Sequence, residues 1–154
     1  MTAKEYLGQI RLADIKIRQL EERLDSMKSL GGAIQYDKPL VQSTPENVTE
    51  DRLIEVIDME REISVEKIRL EKLKNKITLE IQKLTDPRYV QALYYRYVLR
   101  MTPEEISVIM KYEYNSVRRI VRYARKAFAE MYNLEPESVY DMYELVDAGS
   151  EDDN

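Results

Sequence analysis

The sequence predicts an all-α protein in which a long coiled-coil helical hairpin is followed by a small helix-turn-helix domain. Three observations support this fold class. Glycine and proline are scarce, with four and five residues among 154. Apolar residues recur at three- and four-residue spacings through two long segments, which is the period of an amphipathic helix. A third segment, nearer the C-terminus, contains two strong helix-start signals separated by about one short helix.

The first long segment has a regular heptad pattern over residues 3–28. Its apolar positions alternate at spacings of three and four residues, which keeps one face of a helix toward a partner. Gly31 and Gly32 are expected to end this helix, because glycine is the usual residue after a helix C-terminus. The heptad positions are Ala3, Tyr6, Ile10, Ala13, Ile17, Leu20, Leu24 and Met27.

A loop is predicted at residues 31–49, where Pro39 and Pro45 interrupt any helix. A second long helix is then predicted from about Thr49 to Leu84, with Thr49 as its N-cap. Its apolar face is broad and is interrupted by Glu66, which suits packing against more than one neighbour. The heptad positions are Val56, Met59, Ile63, Leu70, Leu73, Ile77 and Leu84, and Ile57, Ile68 and Ile81 lie beside them.

Residues 1–84 are therefore predicted to form a coiled-coil oligomerisation arm. Two arrangements are open: the two helices fold back on each other within one chain, or one or both of them also build a dimer. A two-helix hairpin of this length has little core of its own, which favours association between chains.

Residues 85–134 are predicted to form a helix-turn-helix domain. Asp86 and Pro87 suit a helix start, because proline is well tolerated at the first helical position. The run Thr102–Glu105 (TPEE) is a capping box that opens a second helix. That helix is expected to stop near Lys111, and a basic helix follows at roughly residues 114–132. Two helices of this size joined by a tight turn are typical of DNA-binding proteins.

The last helix has an apolar face and a basic face. A recognition helix presents its N-terminal turns to base edges in the major groove, where asparagine pairs with adenine and arginine with guanine. Basic residues farther from the base edges are expected to contact phosphates. The predicted inner face is Val117, Ile120, Val121, Ala124 and Phe128. The predicted base-contacting residues are Tyr114, Asn115, Arg118 and Arg122, and the predicted phosphate-contacting residues are Lys111, Arg119, Arg125 and Lys126.

The net charge of −5 is unevenly distributed along the chain. Residues 85–134 contain nine basic and five acidic residues, whereas residues 135–154 contain eight acidic residues and no basic one. A polyanion responds to the local field, so an acidic total does not exclude DNA binding. Residues 135–154 are predicted to be an acidic, partly disordered tail. Its expected role is to keep the chain soluble, to shield the basic helix from nonspecific DNA, or to contact RNA polymerase.

The composition argues against an enzyme. The chain has no cysteine and no histidine, so it has no thiol nucleophile, no Ser-His-Asp triad and none of the usual nitrogen or sulfur metal ligands. The acidic residues lie in mixed-charge helical runs, which are usually solvated surface. No cofactor and no metal site are therefore predicted. The absence of a long apolar run and of a signal-peptide block predicts a cytoplasmic protein with no membrane partner.

At the level of motifs, residues Glu104–Tyr132 resemble the promoter-binding helix-turn-helix at the C-terminus of sigma factors. The longer stretch Leu84–Phe128 is more closely similar to the small sigma-like RinA/ArpU-type late-gene regulators of phages and prophages of Gram-positive bacteria. Two departures from that pattern are Lys111 in place of glycine and Glu113 in place of a small capping residue. The matching motifs are Tyr94–Tyr97 (YYRY), Thr102–Glu105, Val117–Ile120 (VRRI) and, in the arm, Tyr36–Pro39 (YDKP).

The resemblance implies double-stranded DNA binding at a phage promoter in a bacterial host and control of late genes. A homodimer through the coiled coil is expected, with RNA polymerase as a further candidate partner. One alternative is a DNA-recognition subunit of phage packaging, similar to a small terminase, for which a closed ring is expected instead of a dimer. Another is a coiled-coil adaptor whose helix-turn-helix binds protein and shows no salt-dependent DNA binding.

Overall fold

The computed structural model describes residues 1–37 and 45–139, with side chains described for residues 1–29 and 50–139. These residues form an all-α fold, as predicted, and they contain no strand beyond one isolated bridge between Thr2 and Glu135. The elements are α1 (Ala3–Leu7), α2 (Gln9–Asp37), α3 (Pro45–Gln82), α4 (Pro87–Leu93), a π-helical turn (Tyr94–Val98), α5 (Pro103–Met110) and α6 (Tyr114–Met131).

Two predicted helix ends are wrong. Helix α2 continues through Gly31 and Gly32 to Asp37, and α3 begins at Pro45 instead of Thr49. Glycine inside a helix costs only about 1 kcal/mol, and no glycine in the described ranges has the positive φ by which glycine commonly ends a helix. Proline at a first helical position loses no hydrogen bond. The rest of the predicted loop, residues 38–44, lies outside the described residues.

The chain divides into two compact units. One, here the hairpin unit, comprises residues 12–37 and 45–72, and the other, here the helix-turn-helix unit, combines residues 1–11 with residues 73–139. Residues 1–11 and 73–84 thus pack with the helix-turn-helix, although they were predicted to belong to the arm.

The hairpin unit is an antiparallel pair formed by α2 and α3 of one chain. Ion pairs join Lys16 to Glu66 at 3.4 Å and Lys28 to Glu60 at 3.0 Å. The later residue of α2 thus pairs with the earlier residue of α3, as expected for antiparallel helices. Glu66, which interrupts the predicted apolar face, is largely buried beside Lys16. The buried residues of this seam lie one heptad apart on each helix: Ile17 and Leu24 on α2, and Ile63 and Leu70 on α3.

The core of the helix-turn-helix unit has contributions from α4, α5 and α6. Ala92 of α4, Ile106 of α5 and Val117 of α6 are fully buried in one cluster, together with Ile120 and Val121. Because three helices contribute to this cluster, the orientation of α6 is fixed from two sides. Partly buried aromatic and sulfur side chains pack around the cluster: Tyr89, Tyr95, Tyr97, Met101 and Met110.

A second layer attaches α1 and the end of α3 to the same helix. Phe128 of α6 is fully buried, with its ring centroid 5.8 Å from that of Tyr6 and 4.6 Å from that of Tyr132. The Tyr6 hydroxyl donates to the Glu80 carboxylate at 2.7 Å, and the Tyr132 hydroxyl donates to the Glu80 carbonyl, also at 2.7 Å. Burial and the Glu80 carboxylate together raise the pKa of Tyr6 to about 12. Glu80 therefore links the N-terminus, α3 and α6.

Candidate DNA-binding surface

The predicted helix starts of the helix-turn-helix are confirmed. The Asp86 side chain accepts a hydrogen bond from the Arg88 amide at 2.9 Å, with Pro87 at the first helical position. The bonds from Arg88 to this carboxylate hold the pKa of Asp86 below its ordinary value. The Thr102 side chain accepts from the Glu105 amide at 3.2 Å, which is one of the two bonds of the predicted capping box. Local side chains thus fix where α4 and α5 begin.

The turn between α5 and α6 is closed by Ser107. Lys111 has left-handed backbone angles, with φ 58° and ψ 40°, at the position where glycine is common in this motif. The Ser107 carbonyl accepts from the Tyr112 amide at 3.2 Å, and the Ser107 hydroxyl donates to the Tyr112 carbonyl at 2.6 Å. These bonds hold the turn although a left-handed lysine costs about 1 kcal/mol.

Helix α6 buries most of its apolar residues on one side and presents most of its basic residues on the other. The predicted inner face, from Val117 to Phe128, is buried as expected. On the other side Asn115, Arg119 and Lys126 are exposed and Arg122 is half-buried. These four positions are spaced by four, three and four residues, so they follow one line along the helix. We refer to Asn115, Arg119, Arg122 and Lys126 as the basic row.

Tyr114 and Arg118 lie on the flank of the basic row, not in it. Both are half-buried, and the Arg118 guanidinium carbon lies 5.5 Å from the centre of the Tyr114 ring. The Nε atom of Arg118 is buried and has no hydrogen-bond partner within residues 1–37 and 45–139. Lys111 is exposed in the turn that precedes α6. The structure therefore brings seven of the eight predicted DNA-contacting residues to one side of α6 or to its leading turn.

The eighth residue, Arg125, is an exception, and the prediction that it lies on the exposed basic face is wrong. Its side chain is 0% exposed. Its Nη1 atom donates to the Tyr97 hydroxyl at 3.1 Å, and Nη2 donates to Glu137 Oε2 at 2.9 Å. Nε lies 2.8 Å from Glu137 Oε1, an ion-pair distance although the two are not aligned as a hydrogen bond. No part of this guanidinium remains for a phosphate.

The charge of Arg125 is retained in its buried site. Burial disfavours the guanidinium charge, but the Tyr97 hydroxyl and the Glu137 carboxylate outweigh this effect, so the pKa of Arg125 lies above its ordinary value. Glu137 is itself only 11% exposed. The pair is therefore a buried structural contact between α6 and the segment that follows it.

Glu137 was missed by the sequence analysis. It belongs to residues 133–138, which lie outside any helix. In that segment the Glu135 amide donates to the Met1 carbonyl at 3.2 Å, which ties the segment to the N-terminus. A cleft of about 740 Å³ lies between the segment and the second half of α6, lined among others by Arg122, Lys126 and Pro136. The acidic end of the predicted tail, residues 140–154, lies outside the described residues.

Comparisons with protein-family models, with curated proteins and with solved structures found no match to this chain. Within residues 1–37 and 45–139, no helix combines the length and the apolar character needed to cross a bilayer.

Proposed function

We propose that the chain is a sequence-specific transcription regulator that binds double-stranded DNA with α6 in the major groove. The observation that carries this proposal is the basic row. Its polar side chains lie in one line, while the opposite face of the same helix is buried against α4 and α5. A rigid helix with one free polar face is the arrangement that helix-turn-helix proteins use to contact base edges.

The position of each residue along α6 suggests whether it contacts a base edge or a phosphate. Asn115 and Arg119 lie in its first two turns, where a recognition helix approaches the bases, and Arg122 follows one turn later. Lys126 lies farther along the helix and is suited to a phosphate, as is Lys111 in the leading turn. Arg118 is a base-contacting candidate only if it leaves its stacking position on Tyr114. Arg125 is not included, because it is buried.

We further propose that the regulated genes are late genes of a phage or prophage and that the protein acts in the cytoplasm of a bacterial host. The resemblance of residues 84–128 to RinA/ArpU-type regulators supports this part of the proposal. A homodimer is proposed because two copies would contact two half-sites. RNA polymerase is the candidate further partner. A closed ring of many copies would instead favour a role in DNA packaging.

The proposal is tested by selecting duplexes from a random pool and measuring affinity by fluorescence anisotropy at several salt concentrations. Arg122→Ala is expected to weaken binding to the selected duplex by about 1–3 kcal/mol and to relax its base preference. Lys126→Ala is expected to weaken all sequences alike and to reduce the slope of log affinity against log salt by about 1.

Two controls separate a DNA contact from a general change in charge or fold. Lys76→Ala removes one exposed positive charge outside α6 and is expected to leave base preference unchanged. Arg125→Met is expected to reduce stability while the salt slope of the folded protein stays the same. The proposal is wrong if no duplex is enriched, or if the variants of the basic row and Lys76→Ala behave identically.

A further inference from the structure

Helix α3 has a second apolar face that the hairpin does not cover. Ile63 and Leu70 are buried in the hairpin seam, but Ile54, Ile57, Val65 and Ile68 are between 40% and 57% exposed. The four exposed residues are spaced by three, eight and three positions, so they lie on one side of α3, away from the buried pair. We call these four residues the outer apolar row.

The outer apolar row is symmetric about Arg61. Ile57 and Val65 lie four residues before and after Arg61, and Ile54 and Ile68 lie seven residues before and after it. Two residues of opposite charge are also placed symmetrically: Glu50 and Lys72 are each eleven residues from Arg61 and continue the same line at its two ends. All three charged residues are exposed.

We propose that the outer apolar row is the homodimer interface and that a second copy of α3 packs on it in antiparallel orientation about Arg61. In this arrangement Ile54 faces Ile68 of the second copy, and Ile57 faces Val65. Glu50 faces Lys72 at both ends of the interface. A parallel, in-register pair would instead bring like charges together at both ends, which is unfavourable. The charge pattern therefore selects a second copy and its orientation.

Arg61 has a defined role in this interface. It lies on the twofold axis, in the middle of an otherwise apolar row. A polar residue at one such position fixes register at a cost in stability. Arg61 meets Arg61 of the second copy in either orientation, so the orientation depends on Glu50 and Lys72. Arg61→Leu is therefore expected to tighten the dimer while its register becomes less well defined. This inference deepens the proposed homodimer and does not depend on DNA binding.

The orientation is tested by cross-linking, which is straightforward because the chain has no cysteine. Single variants Ile54→Cys and Ile68→Cys are oxidised separately and as a mixture, in the absence of DNA. In the antiparallel dimer, two copies of residue 54 are about 21 Å apart along the axis, too far for a disulfide. Covalent dimer is therefore expected from the mixture and not from Ile54→Cys alone. Leu12→Cys, at a somewhat more exposed position on α2, measures random collision.

The energetics are tested by sedimentation equilibrium, again without DNA. Ile57→Lys is expected to give a monomer, whereas Leu12→Lys, also at an exposed apolar position, is expected to leave the dimer intact. Glu50→Lys replaces two attractive charge contacts per dimer with repulsive ones and is expected to raise the dissociation constant about tenfold. Adding Lys72→Glu makes the facing charges opposite again and is expected to restore the original dissociation constant. Circular dichroism checks that each variant is folded.

Three results would overturn the inference. Efficient cross-linking of Ile54→Cys with itself indicates a parallel pair. If Ile57→Lys is still a dimer, the interface lies elsewhere. If the parent chain is a monomer, there is no homodimer interface. None of these results bears on the basic row, because DNA binding by α6 is measured independently through its salt slope and base preference.

Discussion

The helix-turn-helix unit and the hairpin unit use their apolar residues differently. In the helix-turn-helix unit, fully buried side chains come from helices on several sides, and hydrogen bonds such as Tyr6 to Glu80 join residues far apart in sequence. In the hairpin unit, one residue per heptad is buried, and a second apolar face of α3 is exposed. The first unit encloses a core between several helices, whereas in the second the exposed apolar residues of α3 form one row along the helix.

The largest expected effect compares one core residue from each unit. Phe128→Ala is expected to lower the free energy of unfolding by about 3–5 kcal/mol, because it removes a fully buried ring that packs between two tyrosines. Leu24→Ala in the hairpin seam is expected to cost about 2 kcal/mol, at the lower end of the range for leucine. Urea unfolding monitored by circular dichroism measures both. Equal losses would contradict the comparison.

The next largest effect concerns the buried ion pair. Arg125→Met leaves the Glu137 carboxylate buried without its partner and is expected to cost about 3 kcal/mol. The double variant Arg125→Met, Glu137→Leu removes both charges and is expected to recover much of that loss. Arg122→Met, a change to a half-buried arginine of the basic row, is the matched control and should change stability by less than about 0.5 kcal/mol. No recovery in the double variant would show that packing, not charge, makes Arg125 important.

A third effect depends on pH. The folded pKa of Tyr6 is about 12, above its ordinary value of 10.0. The protonated hydroxyl therefore contributes its full stabilisation below pH 10, and this contribution is lost as pH rises toward 12. The free energy of unfolding should decline more over this window in the parent than in Tyr6→Phe. Identical declines would mean that the Tyr6 hydroxyl is not held by Glu80.

The smallest effect tests the turn before α6. Lys111→Gly is expected to raise the free energy of unfolding by up to about 1 kcal/mol, because glycine adopts left-handed angles without strain. Thermal unfolding measures the gain. The same variant should bind DNA less tightly if Lys111 contacts a phosphate. Lys111→Ala removes the charge but keeps the strain, so a comparison of the two variants separates the contact from the backbone effect.

The parts of the fold that local signals determine were predictable from the sequence. The starts of α4, α5 and α6 follow from Asp86, Thr102 and the tight turn at Lys111, and each depends on residues within one helical turn. The heptad positions of α2 and α3 were also predicted, and those with described side chains are buried or half-buried. The end of α2 was not, because glycine permits a positive φ and does not impose it.

The parts that depend on distant residues were not predictable. Arg125 and Lys126 are adjacent basic residues on the same helix, and only their tertiary surroundings distinguish them. Arg125 is buried because Tyr97, 28 residues earlier, and Glu137, 12 residues later, both reach its guanidinium. The exposed face of α3 has a similar origin. Its isoleucines indicated a second neighbour, but periodicity alone did not show that the hairpin leaves them free.

The π-helical turn at residues 94–98 has a consequence for how this chain tolerates insertion and deletion. The Leu99 amide donates to the Tyr94 carbonyl, five residues earlier, so the turn holds one residue more than an α-helical turn. Deleting one residue there would restore regular α-helical winding, and the remaining residues of the turn, Tyr97 among them, would take new directions around the helix axis. The Tyr97 hydroxyl would then point away from Arg125. The extra residue thus sets the direction of the side chains within the turn, and a length change there would alter the surroundings of a guanidinium nearly thirty residues downstream.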